Sequence, residues 1–423
     1  MKKTKIAVIG LGYVGLPVSI AFSRKYKVMG YDIDPNRIDS LNKFIDSTLE
    51  VSTTKLRKAL NNNLSITSTI NDLKECNIYI ITVPTPINSD NTPDLSYLVD
   101  ATKSVGKILS NNDIVIYEST VYPGCTEEIC VPILKKYSKL EYNKNFYCGY
   151  SPERINPGDK KHTIEKIVKV ISGSTEEASK KIDKLYSSVI DAGTYVAKSI
   201  KIAEAAKVIE NTQRDINIAF INELAIIFNK MKIDTNDVLD AALTKWNFLD
   251  FKPGLVGGHC IGVDPYYLAY KSKKEGYNPE IILAGRKVNN SIGKFIVNEV
   301  VGEMNKRHLL SSNSKVLVMG ATFKENCPDF RNTRVIDILT ELEKQKLSYD
   351  IFDPLVDKES FSKHYNLIIH NHLPKNKKYH AIILAVAHDD FKLIDVNSLK
   401  QNSKAVVYDV KGFLEKKVIT NRL

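Results

Sequence analysis

A chain of 423 residues exceeds what one hydrophobic core accommodates, so two or three domains are expected. Its 43% hydrophobic and 26% charged residues exclude a disordered or fibrous chain and are typical of a globular protein. A lysine-rich surface explains most of the formal net charge of +11, which also favours anionic ligands such as diphosphates. Because the lysines are dispersed, we expect no nucleic-acid partner.

The sequence has no apolar run of the roughly 20 residues that cross a bilayer, and its start lacks the features of a signal peptide. We therefore expect a cytoplasmic protein with no membrane partner. The chain has six cysteines, without a metal-type CxxC pair or a dense disulfide framework, which predicts mostly free thiols and no metal.

Strand and helix signals alternate through the first 200 residues. The predicted strands are Lys5–Ile9, Val28–Tyr31, Ile78–Val83 and Ile114–Tyr117. This alternation predicts an α/β fold with a parallel, doubly wound sheet.

The middle of the chain changes to a helical pattern. Residues 202–231 form one long predicted helix with several apolar faces and no Gly or Pro, and such a helix favours a homodimer or larger homo-oligomer. After the Gly/Pro-rich loop 253–265, the helical pattern resumes at 279–305.

The strand rhythm returns after residue 314. The predicted strands there are Lys315–Met319, Tyr349–Phe352, Ala381–Val386 and Ala405–Val410. The fold class is thus two Rossmann-like parallel-sheet domains joined by a helical domain with a long central helix. The predicted boundaries are 1–198, 199–305 and 306–423.

A glycine-rich segment, Gly10-Leu11-Gly12-Tyr13-Val14-Gly15, follows the first strand and opens a helix. The glycines permit a tight turn, close approach to a pyrophosphate, and close helix–strand packing. Asp32 ends the second strand, where the fingerprint needs an acid for the ribose hydroxyls. A structural turn is the alternative, but the ordered set favours a dinucleotide site. Asp32 favours NAD over NADP, although Arg37 is nearby and can also cover the adenine face.

The segment 256–265 combines paired glycines with His259, Cys260 and Asp264. A cysteine in such a loop, with an acid four residues on, is a candidate nucleophile beside a proton-handling group. Taken alone, a structural cysteine is the commoner explanation, and His259 alone is more often a packing residue.

Four polar residues on the long helix, Glu204, Lys207, Asn211 and Arg214, share one face. A solvated stripe is the simpler interpretation on a surface helix. Because this helix is otherwise apolar, we expect it to be largely buried, and Lys207 and Asn211 then suit a substrate hydroxyl or oxyanion.

Polar residues also follow three predicted strands: Thr85, Thr120 and Glu153. Each is compatible with turn chemistry. Together they indicate a shared cleft, because the carboxyl ends of parallel strands line the ligand crevice.

These motifs together resemble the UDP-glucose/GDP-mannose dehydrogenase family over nearly the whole chain. The branch that acts on UDP-N-acetylhexosamines is the most similar. The motifs that carry the resemblance are GLGYVGLP at 10–17, VPTP at 83–86, ESTVYPG at 118–124, SPERINPGD at 151–159, AEAAKVIENTQRD at 203–215, PGLVGGHCIGVDPYYL at 253–268 and FKENCPDFRNTR at 323–334.

The resemblance implies NAD-dependent oxidation of the sugar C6 alcohol to a carboxylate through a thioester on Cys260, for surface polysaccharides such as capsule or O-antigen. The implied catalytic residues are Cys260, Lys207, Asn211, Asp264, Glu153 and Thr120. The implied NAD contacts are Gly10, Gly12, Tyr13, Val14, Gly15, Asp32, Arg37, Thr85, Thr120 and Arg331. The implied nucleotide-sugar contacts are Arg154, Ile155, Lys207, Asn211, Arg214, Phe251, Gly254, Gly257, Phe323 and Lys324, with Lys411 a weaker one. NAD is assigned to the first domain and the UDP-sugar to the third.

Two departures from the family pattern bear on the substrate. Pro157 stands where the UDP-glucose branch has a second acid, and the loop 245–252 differs from the N-acetylmannosamine branch. UDP-GlcNAc or UDP-GalNAc is therefore the expected substrate, with UDP-glucose, UDP-ManNAc or GDP-mannose as alternatives. A two-electron NAD dehydrogenase and a non-catalytic NAD-binding protein are remoter ones.

Overall fold

A computed structural model describes residues 4–155, 163–258 and 261–423. The chain divides into two compact units. The first comprises Met1–Glu210 and Tyr266–Tyr277, and the second comprises Asn211–Pro265 and Asn278–Leu423. No helix in the described ranges is long and apolar enough to cross a membrane.

The first unit is built on an eight-stranded sheet, with strand order β3-β2-β1-β4-β5-β6-β7-β8. The strands are β1 Lys5–Ile9, β2 Lys27–Tyr31, β3 Leu64–Thr67, β4 Ile78–Ile81, β5 Asp113–Tyr117, β6 Phe146–Tyr150, β7 Lys169–Gly173 and β8 Thr194–Val196. All neighbours are parallel except β6 and β7, whose antiparallel pairing departs from the predicted parallel sheet.

Six helices lie among the described residues before β8: α1 Gly15–Ser23, α2 Pro35–Asn42, α3 Thr53–Leu60, α4 Ser96–Gly106, α5 Val131–Ser138 and α6 Glu176–Ser187. A π-helical turn, Thr126–Cys130, leads directly into α5. Aliphatic residues of β1, β4 and β5 pack against α1 and α6 in a core where Ile6, Val8 and Ile116 are fully buried.

The middle of the chain is helical, as predicted. The helices are α7 Ile200–Met231, α8 Thr235–Ala242, α9 Asp264–Lys274 and α10 Glu280–Lys306. α7 is one uninterrupted helix of 32 residues. α9 was not predicted: it begins inside the segment expected to be a loop, where Asp264 and Pro265 supply the first-turn acid and the proline that favour a helix start.

The second unit carries a five-stranded parallel sheet, with order β10-β9-β11-β12-β13. Its strands are β9 Lys315–Met319, β10 Ser348–Phe352, β11 Ala381–Leu384, β12 Val406–Asp409 and β13 Asn421–Arg422, and its further helices are α11 Val335–Lys344 and α12 Lys358–Tyr365. One core packs β9 and β11 against α10 and α11, and a second covers the other face of the sheet.

Both sheets contain a point where the strand order reverses. It lies between β1 and β4 in the first and between β9 and β11 in the second. Loops that leave the carboxyl ends of such strands diverge, which opens a crevice for ligands. The candidate sites lie at these two points.

Candidate functional site

The glycine loop after β1 has the shape of a phosphate-binding turn. Gly10 has φ of +93°, and its N–H donates to the carbonyl of Tyr31 over 2.8 Å. A Cβ on Gly15 would lie 1.8 Å from the carbonyl oxygen of Gly10, whereas a Cβ on Gly12 would meet no atom within 4 Å. Gly15 is therefore required for close packing, and the open side at Gly12 leaves room for a phosphate beside the start of α1.

Asp32 and Arg37 both contact the glycine loop. The carboxylate of Asp32 accepts a hydrogen bond from the N–H of Leu11 over 2.8 Å. Arg37 donates from Nε and Nη2 to the carbonyl of Leu11 (3.0 and 2.8 Å) and pairs with Asp46 at 2.8 Å. The Arg37 guanidinium thus braces the loop, and Asp32 lies beside the loop at the end of β2, where the sequence predicts it.

The three strand-end residues lie where the sequence predicts. Thr85, Thr120 and Glu153 follow β4, β5 and β6, which are parallel neighbours in the sheet. Their strands end at the same edge as β1, which carries the glycine loop. One edge of the first sheet therefore carries the glycine loop and all three polar residues.

Glu153 is buried, and donors surround its carboxylate. Oε1 accepts from the backbone N–H groups of Arg154 (2.7 Å) and Ile155 (2.6 Å). Oε2 accepts from the buried ammonium of Lys169 at 2.9 Å, and Lys169 also donates to Glu118 at 2.8 Å. Such a donor set fixes the carboxylate in orientation.

The polar residues of α7 that belong to the first unit have two different environments. Glu204 is fully buried and accepts hydrogen bonds from the backbone N–H groups of Gly124 (2.5 Å) and Thr126 (2.9 Å), so it anchors the segment that follows Thr120. Burial raises the pKa of Glu204 to about 7, although those donors favour the ionised form.

Lys207 has a different environment. It is 7% exposed, and in the described part of the first unit no carboxylate lies within 4.0 Å of its ammonium group. Because an uncompensated buried ammonium is costly, its position indicates a ligand that brings an oxyanion or hydroxyl.

In the second unit, Asn211 donates from Nδ2 to the carboxylate of Asp264 over 2.5 Å. Asp264 is 1% exposed and opens α9. The hydrogen bond joins two predicted catalytic residues from separate segments. Arg214 lies on the exposed side of α7. His259 and Cys260 lie outside the described residues, as does Pro157.

A buried chain of hydrogen bonds fixes the start of the glycine-rich loop. Arg286 donates to Asp215 over 2.6 Å, and Asn289 donates to the same carboxylate over 2.7 Å. Asn222 donates to Asn289 (2.8 Å) and exchanges two hydrogen bonds with the backbone of Gly254 (2.8 and 3.0 Å). We call these five residues the Gly254 relay. The relay ties the loop backbone to α7 and α10.

Two glycines of this loop touch the segment after β9. A Cβ on Gly257 would lie 2.5 Å from the carbonyl oxygen of Asn332, and one on Gly258 would lie 2.8 Å from the ring of Phe323. Gly258 also has φ of +85° and donates to Asn332 over 3.1 Å. The paired glycines therefore let the loop pack against Phe323.

A cleft of about 290 Å³ lies at the reversal point of the second sheet. Residues after β9, β11 and β12 line it together with the loop 253–258: Leu255, Thr322, Phe323, Lys324, Glu325, Thr333, Arg334, Val335, Ala385, Val386 and Lys411. The ammonium of Lys411 would lie 3.4 Å from a Cβ on Gly254. A phenyl ring with two lysines suits a base with a diphosphate.

The wall of this cleft is held by a buried Asp353–His388 pair. Asp353 accepts from the N–H of Ala321 (2.7 Å) and contacts His388 Nε2 at 3.0 Å, while the N–H of Asn326 donates to His388 Nδ1 over 2.9 Å. Burial would raise the pKa of Asp353, but the hydrogen bonds from His388 and the backbone outweigh it and lower the pKa. The loop that carries Phe323 and Lys324 is thereby fixed.

The remaining predicted residues lie outside these clusters. Arg154 pairs with Glu210 at 2.7 Å, and Arg331 pairs with Asp329 at 2.7 Å. Phe251 is half-buried and does not line the cleft. Tyr13 and Val14 are half-buried at the start of α1.

Sequence reasoning missed the residues that support the site. Lys169, Asn289, Asp353 and His388 stand in no motif. Asn222 had a detectable signal, because it shares a helical face with Asn211 and Asp215 at intervals of four and seven residues.

The chain matches three domain descriptions of one family. Residues 4–190 match the NAD binding domain of the UDP-glucose/GDP-mannose dehydrogenase family, residues 201–291 its central domain and residues 317–416 its UDP binding domain. Two proteins named UDP-N-acetyl-D-glucosamine 6-dehydrogenase are similar: that of Pseudomonas aeruginosa is 55% identical over 98% of each chain, and that of Salmonella typhi is 54% identical over 97% of each. The solved UDP-D-ManNAc dehydrogenase from Pyrococcus horikoshii has a TM-score of 0.90 at 29% identity, covering 99% of this chain and 98% of that one. The chain therefore belongs to the UDP-glucose/GDP-mannose dehydrogenase family and is an NAD-dependent oxidoreductase.

Proposed function

We propose that this protein oxidises the C6 alcohol of a UDP-N-acetylhexosamine, UDP-GlcNAc or UDP-GalNAc, to the uronic acid. The observation that carries the proposal is the cleft with Lys324, Lys411 and Phe323 at the reversal point of the second sheet. The similarity to two UDP-N-acetyl-D-glucosamine 6-dehydrogenases supports the sugar.

The glycine loop fits NAD, because Gly12 leaves an open side where a Cβ would meet nothing. In this proposal Gly10, Gly12 and Gly15 accommodate the pyrophosphate and Asp32 binds the ribose hydroxyls, with Tyr13, Val14 and Thr85 nearby. NAD, when bound, supplies the hydride acceptor for both oxidations. The side chain of Arg331 pairs with Asp329. A contact between Arg331 and the cofactor therefore stays a prediction.

Lys207 and Asn211 are proposed to act on the C6 oxygen. The ammonium of Lys207 is buried, and the amide of Asn211 is oriented by Asp264. Two fixed donors stabilise the alkoxide as C6 is oxidised to the aldehyde, and then the thiohemiacetal oxyanion.

Cys260 is proposed as the nucleophile. Its thiolate adds to the aldehyde carbon, and removal of the remaining hydride from that carbon leaves a thioester. Water then attacks the thioester carbonyl, the carbon–sulfur bond breaks, and the acid and the thiolate are released. Thr120, Asp264 and Glu153 are the groups proposed to hold or deprotonate that water.

The proposed nucleotide-sugar contacts fall into two groups. Phe323, Lys324 and Lys411 are proposed to hold the uridine diphosphate, and Gly254 and Gly257 stay predicted contacts on the adjoining loop. The sugar side is assigned to Arg154, Ile155, Arg214 and Phe251, which stay predictions.

A homodimer is the proposed assembly. Apolar side chains on the second-unit part of α7 are exposed, and Phe220 is 54% exposed, with Ile227 and Met231 on the same helix. The sequence predicts this helix to be largely buried, and pairing with a second copy accounts for the difference. Light scattering of the purified protein tests it: a mass of twice 47.6 kDa supports the dimer, and a monomer at all concentrations contradicts it.

A substrate panel tests the proposed sugar. NADH formation is measured with UDP-GlcNAc, UDP-GalNAc, UDP-ManNAc and UDP-glucose at equal concentration. We expect kcat/KM for UDP-GlcNAc or UDP-GalNAc to exceed that for UDP-glucose by at least about tenfold. The reason is that a pocket formed for an acetamido group has unpaired polar groups when the substrate lacks that group. Higher kcat/KM with UDP-glucose or UDP-ManNAc contradicts it.

A further inference from the structure

A buried four-residue network lies behind Glu153 in the first unit. Lys169, at the start of β7, is 2% exposed, and its ammonium contacts Glu118 at 2.8 Å and Glu153 at 2.9 Å. The hydroxyl of Tyr186, on α6, donates to the other oxygen of Glu118. We call Glu118, Glu153, Lys169 and Tyr186 the Lys169 network. These are the titratable groups that face Lys169 from β5, the β6 end and α6.

The network holds one positive charge and two carboxylates. Burial raises the pKa of Glu118, against the opposing effects of Lys169 and Tyr186. Burial would lower the pKa of Lys169, but the two carboxylates outweigh it and raise the pKa. Lys169 is therefore charged, and its single charge faces the carboxylates of both Glu118 and Glu153.

Glu153 differs from Glu118 in one respect. Its Oε1 already accepts two backbone N–H groups, whereas Glu118 accepts a hydroxyl. Three donors leave Glu153 only one open direction on Oε2 for a further hydrogen bond. A carboxylate held in this way is fixed in orientation and can accept from a donor molecule in that one direction.

We propose that Lys169 is a positioning residue whose ammonium keeps the Glu153 carboxylate charged and in one orientation, so that Glu153 orients the hydrolytic water. The inference rests on the proposed function of Glu153. It assigns Lys169 and Glu118 a role in the reaction beyond the site residues that the family resemblance implies.

The test uses two variants that change the charge balance in opposite directions. In Lys169→Met the two carboxylates face each other without a cation, so they share a proton and the acidic limb of the pH profile of kcat for acid formation moves up by more than about one unit. In Glu118→Gln the lysine has one carboxylate left, so the limb moves down. Lys169→Arg keeps the wild-type limb, and Lys180→Met, an exposed lysine of α6, is the control. If the role of Lys169 is purely structural, the variants have a lower melting temperature, and the acidic limbs of Lys169→Met and Glu118→Gln do not shift in opposite directions.

A second measurement separates this inference from the proposed function. Infrared difference spectra between each protein and its Glu153→Gln partner isolate the carboxyl band of Glu153, and they require no substrate. Protonation of Glu153 at higher pH in Lys169→Met, and at lower pH in Glu118→Gln, supports the inference even if no sugar nucleotide is turned over. Equal titration in all three proteins, or shifts of the same sign, overturns it. If Lys169→Met does not fold, Lys169→Arg and Glu118→Gln are compared with the wild type. A titration of Glu153 in Glu118→Gln that equals the wild-type titration then overturns the inference.

Discussion

At the scale of single residues, the informative positions are those where burial and charge conflict. Lys207 is buried with no carboxylate within 4.0 Å among the described residues of its unit, while Lys169, which is also buried, contacts two. A buried ammonium without a nearby carboxylate suits a residue that binds a ligand. A buried ammonium between two carboxylates suits a residue that positions its neighbours.

Replacement of Lys207 by Ala tests the first interpretation. We expect kcat to fall by about 10²–10³-fold, because a fixed donor to the developing oxyanion is lost. NAD affinity, measured by fluorescence titration, stays near the wild-type value. Lys201→Ala, an exposed lysine on the same helix, serves as the control. A kcat within about twofold of wild type shows that the oxyanion is stabilised elsewhere.

Glu204 gives a prediction in pH. Its pKa is raised to about 7 from 4.5, so the folded protein binds a proton that the unfolded chain has released between these values. Its contribution to stability is fully present below pH 4.5 and is lost as the pH rises through 7. The unfolding free energy of wild type relative to Glu204→Gln, measured in urea at several pH values, should therefore fall across this window. A difference that stays constant or rises with pH contradicts the assignment.

At the scale of elements, helices α7 and α10 support the loop 253–258 through the Gly254 relay. The relay matters because Gly254 faces Lys411 at one end of the cleft. A displaced loop would alter the cleft without any change in the lysines that are proposed to bind the nucleotide.

Asn222→Ala tests this coupling. The backbone N–H and C=O of Gly254 lose their partner, which costs about 1–3 kcal/mol in stability, and UDP affinity falls because the cleft wall moves. Calorimetry with UDP and urea unfolding measure the two effects. Asn217→Ala is the matched control, because that amide bonds only within its own helix. If the Asn222→Ala protein is destabilised but its UDP affinity is unchanged, the relay contributes to stability and not to UDP binding.

The sequence predicted those elements whose signals are local. β1 and β9 agree residue for residue, because β-branched runs bounded by glycine or polar residues define them. The antiparallel β6–β7 pair and the start of α9 could not be predicted, since pairing direction depends on distant contacts and the Gly/Pro-rich loop masked the helix start. The same holds for the site: Thr85, Thr120 and Glu153 were found at strand ends, whereas Asn289 and Lys169 act through contacts many residues away.

At the scale of the whole molecule, two sheets each present a crevice at their reversal point, one with a glycine loop and one with two lysines. This accounts for a chain of 423 residues that handles both a dinucleotide and a nucleotide sugar. The division into three domains at 198 and 305 stays a prediction beside the two compact units. A simpler alcohol dehydrogenase needs only one oxidation, and the proposed Cys260 chemistry is what distinguishes this protein from it.

The yield of NADH per molecule of uronic acid tests that central claim most directly. Purified protein is incubated with limiting UDP-N-acetylhexosamine, and NADH absorbance is compared with the acid quantified by chromatography. The account predicts two NADH per acid with no free aldehyde, and no acid from Cys260→Ser while NAD still binds. One NADH per sugar consumed, or full turnover by Cys260→Ser, would contradict it.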